Sequence, residues 1–198
     1  MAPAPLPPLP PPREPGPPYR VCLVCLGNYC RSPMAETVLR SYLAAAGLDR
    51  AVVVDSAGTG DWHVGQPMSR KAREALGRRG YDGSAHRGRQ LTASWLPERD
   101  LFLAMDADNL RDLRRMAGPS DGARIRLFGE VGGLSGMHGS EVPDPYEGDA
   151  GDFDYVLGLI TAAAPVIAGR LLDLLQPLQP LEPAAQAERG PEGPGAAG

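Results

Sequence analysis

A cysteine and an arginine lie six positions apart in a segment that suits a sharp turn. The segment, residues 25–33, has the sequence CLGNYCRSP and follows an apolar run at residues 21–24. The apolar run predicts a short buried strand. Ser32 and Pro33 suit the N-cap and the first position of a helix. The pattern therefore predicts a strand-to-helix turn, in which backbone N–H groups converge on an anion.

Cys25 opens this turn and Arg31 closes it, which is a useful arrangement for phosphate chemistry. The thiolate is the nucleophilic form of cysteine, and a helix N-terminus beside a guanidinium favours that form. The same N–H groups and the arginine fork can hold three phosphate oxygens, so that phosphorus faces the sulfur. Gly27 and Asn28 tolerate the left-handed backbone of a tight turn. The spacing indicates a cysteine-dependent phosphatase, although Cys-x5-Arg alone is a weak pattern and an ordinary βα turn is the alternative.

With Gly-Asn inside it, a second cysteine before the arginine and Ser-Pro after it, the segment resembles the signature loop of the low-molecular-weight protein tyrosine phosphatases of bacterial type. The resemblance covers about residues 19–175. It implies hydrolysis of phosphotyrosine in tyrosine-phosphorylated proteins through a phosphocysteine intermediate, without a cofactor or a metal. It makes Cys25 the nucleophile and Arg31 the phosphate ligand. The implied phosphate-binding loop also contains Leu26, Gly27, Asn28, Tyr29, Cys30 and Ser32.

An aspartate between two prolines, Asp144, lies in a long loop predicted at residues 129–151. By itself an Asp-Pro pair is a turn signal. The family carries its general acid in an Asp-Pro-Tyr triplet about this far from the C-terminus. The resemblance therefore implies that Asp144 protonates the leaving oxygen. Many members have a second tyrosine after the triplet, whereas this chain has Glu147, which places a carboxylate near the pocket mouth.

The resemblance also assigns the walls of a substrate pocket and a set of supporting residues. Trp62, His63 and Tyr146 match the walls, where buried aromatic surface contributes about 25 cal/mol per Å2 and favours a phenyl ring. The positions that brace the loop fall on Ser56, His86 and Asp106. From the residues alone, a core anchor is the alternative for Trp62 and a solvated loop histidine is the alternative for His86.

The two remaining cysteines have separate interpretations. Cys22 lies three residues before Cys25, so strand alternation turns it to the opposite face, and this argues against a thioredoxin-like pair. Cys30 is either a small buried residue or, as the resemblance implies, the partner of the nucleophile in a reversible disulfide. Three cysteines within residues 22–30 are not a disulfide framework. They indicate a reducing compartment, and we expect a cytoplasmic protein.

Three other functions stay open at this point. An arsenate reductase on the same scaffold would need redox cysteines after Cys30, and the sequence contains none. A phosphoarginine phosphatase shares the scaffold too, but Trp62 and Tyr146 favour an aromatic substrate. A phosphate-binding or interaction module would work without turnover, through the Pro-rich N-terminal residues. The nucleophile, the arginine and the acid together favour a catalyst.

Strand and helix patterns alternate along the chain. Strands are predicted at residues 21–24, 51–55, 101–105 and 124–128, and helices after residue 32 and at 69–79, 107–117 and 152–175. Pro165 should kink or interrupt the last helix. This alternation predicts an α/β, flavodoxin-like three-layer fold with a four-stranded parallel sheet and helices on both faces. Cys25, Ser56 and Asp106 follow strand ends, where sites in such sheets lie.

Composition divides the chain into one domain and two tails. The 198 residues are 42% hydrophobic, enough for one core, and the net charge of -4 gives no indication of nucleic acid. Residues 1–18 contain ten of the 22 prolines, and we predict a disordered extension there, with weak docking to an SH3-like partner as the alternative. The phosphatase domain is predicted at 19–175 and a disordered tail at 176–198. No membrane-spanning segment is expected.

Overall fold

The computed structural model describes residues 6–176 of the chain. The predicted C-terminal tail, apart from its first residue, and residues 1–5 of the predicted extension lie outside the described residues.

Four parallel strands form the central sheet, in the order β2-β1-β3-β4. Their bounds are Tyr19–Cys25 for β1, Val52–Gly58 for β2, Leu101–Ala104 for β3 and Ile125–Leu127 for β4. Cys25 at the end of β1 pairs with Gly58 at the end of β2, and Val24 pairs with Ala104. The strands are nearly continuous apolar runs because helices cover both faces of the sheet.

Five α-helices surround the sheet: α1 (Arg31–Ala45), α2 (Arg70–Arg78), α3 (Ala107–Met116), α4 (Phe128–Val131) and α5 (Ala150–Leu175). The larger core cluster joins α1, α2, α4 and α5 to one face of the sheet. The smaller cluster joins α3 to the opposite face. The observed three-layer α/β architecture confirms the predicted fold class.

The structure adds short elements that the sequence patterns did not indicate. Two 3-10 helices, Ala93–Glu98 and Pro119–Arg124, precede β3 and β4. The four-residue α4 begins at Phe128, the last residue of the predicted fourth strand, and continues into the predicted long loop. The last helix continues through Pro165, so the predicted interruption is wrong. Ala163, Ala164 and Ile167 are buried around Pro165, and this packing outweighs the loss of one backbone hydrogen bond on the exposed face.

By length and composition alone, α5 could cross a membrane, because its most apolar window has a mean hydropathy of 1.7. However, its buried face lies in the larger core cluster, where residues such as Phe153, Leu157 and Ile160 pack against the rest of the domain. A core helix of a globular domain passes the same test, so this observation is weak support for a membrane span.

Residues 6–18, here called the N-terminal arm, lie against the domain, which differs from the disordered extension predicted for residues 1–18. Pro10 is buried, and its carbonyl accepts a hydrogen bond of 2.9 Å from the Tyr19 hydroxyl. Arg124 donates to the Pro11 carbonyl at 2.8 Å. Prolines lack N–H groups but keep their carbonyls, and here donors on the domain bind those carbonyls.

Arg13 fixes the other half of the arm at the amino ends of the strands. Its backbone N–H donates to Asp100 and its side-chain Nε donates to the Arg99 carbonyl, each at 2.6 Å. Its guanidinium also pairs with Asp121. The partners lie more than 80 positions away along the chain, so composition alone could not indicate this docking.

Candidate active site

One cavity of about 340 Å3 lies at the carboxyl end of β1. It is lined by ten residues from three parts of the chain: Cys25, Leu26, Gly27, Tyr29, Cys30, Arg31, Trp62, His63, Asp144 and Tyr146. Each of these is a site residue predicted from the sequence. A larger hollow of about 660 Å3, between α1 and residues 80–89, is lined by neither the cysteines nor Asp144.

The phosphate loop, residues 25–31, makes a tight turn between β1 and α1. Asn28 has a φ of 50°, the left-handed conformation that the sequence pattern predicts. The loop rests on the end of β2, where a Cβ on Gly58 would be only 2.8 Å from the Asn28 nitrogen, so only glycine fits there. The helix begins earlier than predicted: Cys30 is its N-cap, and the Ser32 hydroxyl makes other contacts.

Ser32 and Asn28 link the nucleophile to the interior. The Ser32 hydroxyl lies 3.0 Å from Cys25 Sγ and accepts a hydrogen bond of 2.9 Å from the Asn28 amide nitrogen. The same nitrogen donates to the Ser56 hydroxyl at 2.8 Å. Because Ser32 accepts from Asn28, its own proton is available to Cys25. The structure thus connects Asn28 and Ser32 of the phosphate loop with the predicted support residue Ser56 in one buried network.

Glu36 completes this network, and the sequence analysis missed it. Ser56 donates to its carboxylate, and Arg40 pairs with the carboxylate at 2.9 Å. Burial raises the pKa of Glu36 above its usual value, against the lowering effects of Ser56, Arg40 and Arg89. One signal was available: Glu36 follows Ser32 by four positions, so on a helix the two share one face.

Two residues of the loop before β3 hold Asn28 from its other side. His86 Nε2 lies 3.0 Å from the Asn28 carbonyl oxygen, and the Arg89 backbone N–H donates to the Asn28 side-chain oxygen at 2.8 Å. Burial lowers the pKa of His86, with neighbouring arginines acting in the same direction. A neutral His86 that carries its proton on Nε2 satisfies this contact. His86 therefore contacts the phosphate loop, as the resemblance implies.

Arg31 is almost completely buried and faces two carboxylates. One of its terminal nitrogens donates to Asp106 and to the Val142 carbonyl, and the other pairs with Asp144 at 2.6 Å. Burial acts to lower the pKa of Arg31, but the facing Cys25, Asp144 and Asp106 raise it on balance. The guanidinium is therefore charged and oriented from behind by Asp106, which also caps α3.

The acid loop, residues 142–148, presents Asp144 to the cavity. Val142 is buried, and its N–H donates to the Met105 carbonyl at 2.7 Å, directly after β3. The Asp144 side chain is 41% exposed, and its other oxygen accepts a hydrogen bond of 3.2 Å from the Tyr146 N–H. The loop thus holds its carboxylate at the cavity with one oxygen toward Arg31.

Aromatic rings form the mouth of the cavity. His63 stacks on Tyr29, with ring centroids 3.8 Å apart and an angle of 11° between the planes. Tyr146 lies at a centroid distance of 6.3 Å from both rings. Trp62 is 63% exposed, so it is not a core anchor. An exposed aromatic rim of this kind offers apolar surface to a ring entering the cavity.

The three cysteines differ in their surroundings, and all are free thiols. Cys22 belongs to the core cluster on the face opposite Cys25, as strand alternation predicts. Burial raises the pKa of Cys30 to about 12. Among residues 6–176, no three His, Cys, Asp or Glu side chains are arranged to hold a metal ion.

Comparison with known proteins identifies the family to which this chain belongs. The model of the low molecular weight phosphotyrosine protein phosphatase family matches residues 20–175. The chain belongs to this family. A low molecular weight protein-tyrosine-phosphatase of Streptomyces coelicolor is 44% identical over 147 residues, covering 74% of this chain and 89% of the relative. Low molecular weight protein-tyrosine phosphatase A of Mycobacterium tuberculosis is 41% identical, covering 75% of this chain and 88% of the relative.

Solved phosphatase structures share the fold. A protein tyrosine phosphatase from Entamoeba histolytica superimposes with a TM-score of 0.73 at 30% identity, covering 78% of this chain and 97% of that one. Wzb of Vibrio vulnificus, solved in complex with benzylphosphonate, gives a TM-score of 0.66 at 29% identity, covering 76% and 97%. This phosphatase therefore has the fold of its family and acts on phosphorylated proteins. The roles of its individual site residues stay predictions.

Proposed function

We propose that the enzyme hydrolyses phosphotyrosine in proteins through a phosphocysteine intermediate, with Cys25 as nucleophile, Arg31 as phosphate ligand and Asp144 as general acid. One observation carries the proposal. Arg31, buried beneath the cavity that Cys25 lines, also pairs with Asp144 at 2.6 Å. Nucleophile, cation and acid thus surround one space of the size of a phosphoryl group and a phenyl ring.

In the first step the Cys25 thiolate attacks phosphorus, and the bond from phosphorus to the tyrosine oxygen breaks. The phosphate-loop N–H groups and Arg31 stabilise charge on the three other oxygens. Asp144 gives its proton to the leaving phenolate. A phosphate dianion on Arg31 competes with Asp144 for the guanidinium donor, so substrate binding also changes how Asp144 is paired.

In the second step water attacks the phosphocysteine. Asp144, now a carboxylate, takes one proton from the water, and the sulfur leaves as a thiolate. The Ser32 hydroxyl, 3.0 Å from Sγ, donates to that thiolate. Inorganic phosphate is the product, and the enzyme returns to its starting state. No step in this sequence calls on a metal or a cofactor.

The aromatic rim supports phosphotyrosine as the substrate. The stacked rings of Tyr29 and His63 and the tilted ring of Tyr146 provide apolar surface for a phenyl ring. The binding of benzylphosphonate by the related Vibrio enzyme supports an aromatic phosphate in this cavity as well. A short phosphoserine side chain would leave the rim uncovered.

The remaining proposals concern the setting of the enzyme. We take residues 19–175 as the phosphatase domain, which agrees with the extent of the family match. Three free cysteines support a reducing compartment, and we propose the cytoplasm.

The leaving-group dependence of an Asp144→Asn variant tests the mechanism. Phenolate is a poor leaving group that needs a proton, whereas p-nitrophenolate leaves without one. Because kcat/KM reports the steps up to phosphoenzyme formation, the variant should lose about 100-fold in kcat/KM on phenyl phosphate and much less on p-nitrophenyl phosphate. Asp149→Asn, which alters a carboxylate at the start of α5, is the control. Equal losses on the two substrates would remove Asp144 from the acid role.

A further inference from the structure

The first turn of α2 contacts both loops of the active site. The backbone N–H of Ser69, the N-cap of α2, donates to the Tyr29 carbonyl in the phosphate loop at 2.9 Å. Two positions later, the Lys71 ammonium donates to the Gly148 carbonyl at the end of the acid loop at 2.6 Å. A single rigid turn therefore joins the loop that carries the nucleophile to the loop that carries the acid.

The docking of α2 does not depend on Lys71. Three other residues of the helix, Ala72, Ala75 and Leu76, are buried in the core. At its far end Arg78 pairs with Asp154 at 2.7 Å, and Arg79 donates to the Thr161 hydroxyl. The polar contact of Lys71 goes to the acid loop instead, with its ammonium also 5.9 Å from the centre of the Phe153 ring.

Gly148 is tightly packed, so a displacement of its carbonyl group also displaces Asp144. A Cβ at this position would lie 2.3 Å from the Asp152 carboxylate, which leaves no room for a side chain. The Gly148 N–H donates to the Pro145 carbonyl at 2.9 Å and closes a turn. Pro145 directly follows Asp144. A shift of Gly148 therefore moves the backbone that aims the carboxylate.

We propose that Lys71 is a positioning residue, which holds the acid loop at the distance from the phosphate loop at which Asp144 reaches the leaving oxygen. The inference rests on the proposed role of Asp144. Lys71 lines no part of the cavity, so its loss impairs proton transfer and leaves the attack of Cys25 on phosphorus intact. Misplacement of an acid by about 1 Å can cost up to about 100-fold in rate.

Three variants on α2 test whether Lys71 is a positioning residue. Lys71→Met removes the donor and should lower kcat/KM on phenyl phosphate about tenfold, but on p-nitrophenyl phosphate by less than about threefold. Lys71→Arg keeps a donor and should stay within about twofold of the parent on both substrates. Arg73→Met is the matched control for lost charge, because Arg73 makes no side-chain hydrogen bond or ion pair within residues 6–176. It should leave both rates unchanged.

Chemical modification gives a second test that does not depend on refolding a variant. Lys71 is the only lysine among the 20 basic residues. Acetic anhydride converts its amine into a neutral amide and removes the positive charge, while inorganic phosphate in the cavity shields Cys25. The parent should then lose kcat/KM on phenyl phosphate selectively, and Lys71→Arg, which has no side-chain amine, should not.

Asp144→Asn, measured in parallel, separates this inference from the mechanism. If Asp144→Asn discriminates between the two substrates and Lys71→Met loses rate on both equally or on neither, the positioning role is overturned while the acid role stands. If Asp144→Asn does not discriminate, the two proposals fall together. In the positive case, the double variant should be no slower on phenyl phosphate than Asp144→Asn alone.

Discussion

The two loops that meet at the cavity are held in opposite ways. In the phosphate loop Asn28 and Arg31 are buried, and their polar groups have partners within the protein. In the acid loop Asp144, Tyr146 and Glu147 are exposed. Apart from the pair between Asp144 and Arg31, the loop is held to the rest of the domain near its two ends. The phosphate loop is a preorganised set of hydrogen-bond donors for a charged group. The reaction would be slower if these donors had to reorganise during the chemical step. The acid loop must exchange protons with substrate and water, so its carboxylate remains accessible to both.

This contrast predicts that damage to the phosphate loop lowers activity on every substrate, whereas damage to the acid loop depends on the leaving group.

The largest effect is expected from Cys25→Ser. Without the thiolate the phosphoenzyme cannot form, so kcat should fall on the order of 10,000-fold or more on phenyl phosphate and p-nitrophenyl phosphate alike. Phosphate binding, measured by calorimetry, should persist. Cys22→Ala, on the opposite face of β1, is the control and should keep its kcat per folded molecule. Measurable turnover near the parent rate in Cys25→Ser would refute the mechanism.

An intermediate effect is expected from Ser56→Ala, which breaks the link between Asn28 and Glu36. A buried group left without its partner costs about 1–3 kcal/mol of stability, and a loosened loop should lower kcat by about tenfold on both aryl phosphates. Denaturant unfolding and steady-state kinetics measure the two effects. Ser41→Ala, on the exposed side of α1, is the control. A loss confined to phenyl phosphate would show that Ser56 acts on the acid loop instead.

The pH dependence of stability tests how the phosphate loop is held by His86. Burial lowers the pKa of His86 in the folded protein, so the unfolded chain binds a proton at higher pH than the folded one. Stability should therefore fall as pH drops below about 6.5. In His86→Gln, which keeps a hydrogen-bond donor, the decrease in Tm between about pH 7.5 and pH 5.5 should be smaller. An equal decrease in both proteins would show that His86 titrates as in the unfolded chain.

The smallest effect is expected at Glu147, on the exposed side of the acid loop. Its carboxylate has no ion-pair partner within residues 6–176 and should disfavour acidic residues beside the phosphotyrosine. Because exposed charges are screened over about 10 Å at 0.1 M salt, Glu147→Gln should change the preference for basic over acidic phosphopeptides by about threefold at most. The ratio of kcat/KM for paired peptides measures it, with Glu141→Gln as control. A ratio that is the same in parent and variant at low salt would exclude Glu147 from selection.

The sequence predicted contacts between residues that lie close together in the chain better than contacts between residues that lie far apart in it. Cys25 and Ser32 are seven positions apart, so one motif contains both the nucleophile and its donor. Asp144 was reached only through the family resemblance. Lys71 lies 77 positions from Gly148, and neither residue is unusual in its local sequence. The arm was predicted as disordered because composition shows that its prolines cannot form a helix or a sheet. It does not show that arginines elsewhere bind their carbonyls.

The docked arm also determines from which side the enzyme can be held. Arg13 binds immediately ahead of β3, and Pro11 is bound by the residue just before β4. In a parallel sheet these positions share the edge opposite the cavity. The seven residues of β1 separate the arm from Cys25 by roughly 20 Å, at about 3.3 Å per residue. A binding protein or a solid support attached to residues 11–18 would therefore leave the mouth of the cavity accessible to a phosphorylated protein.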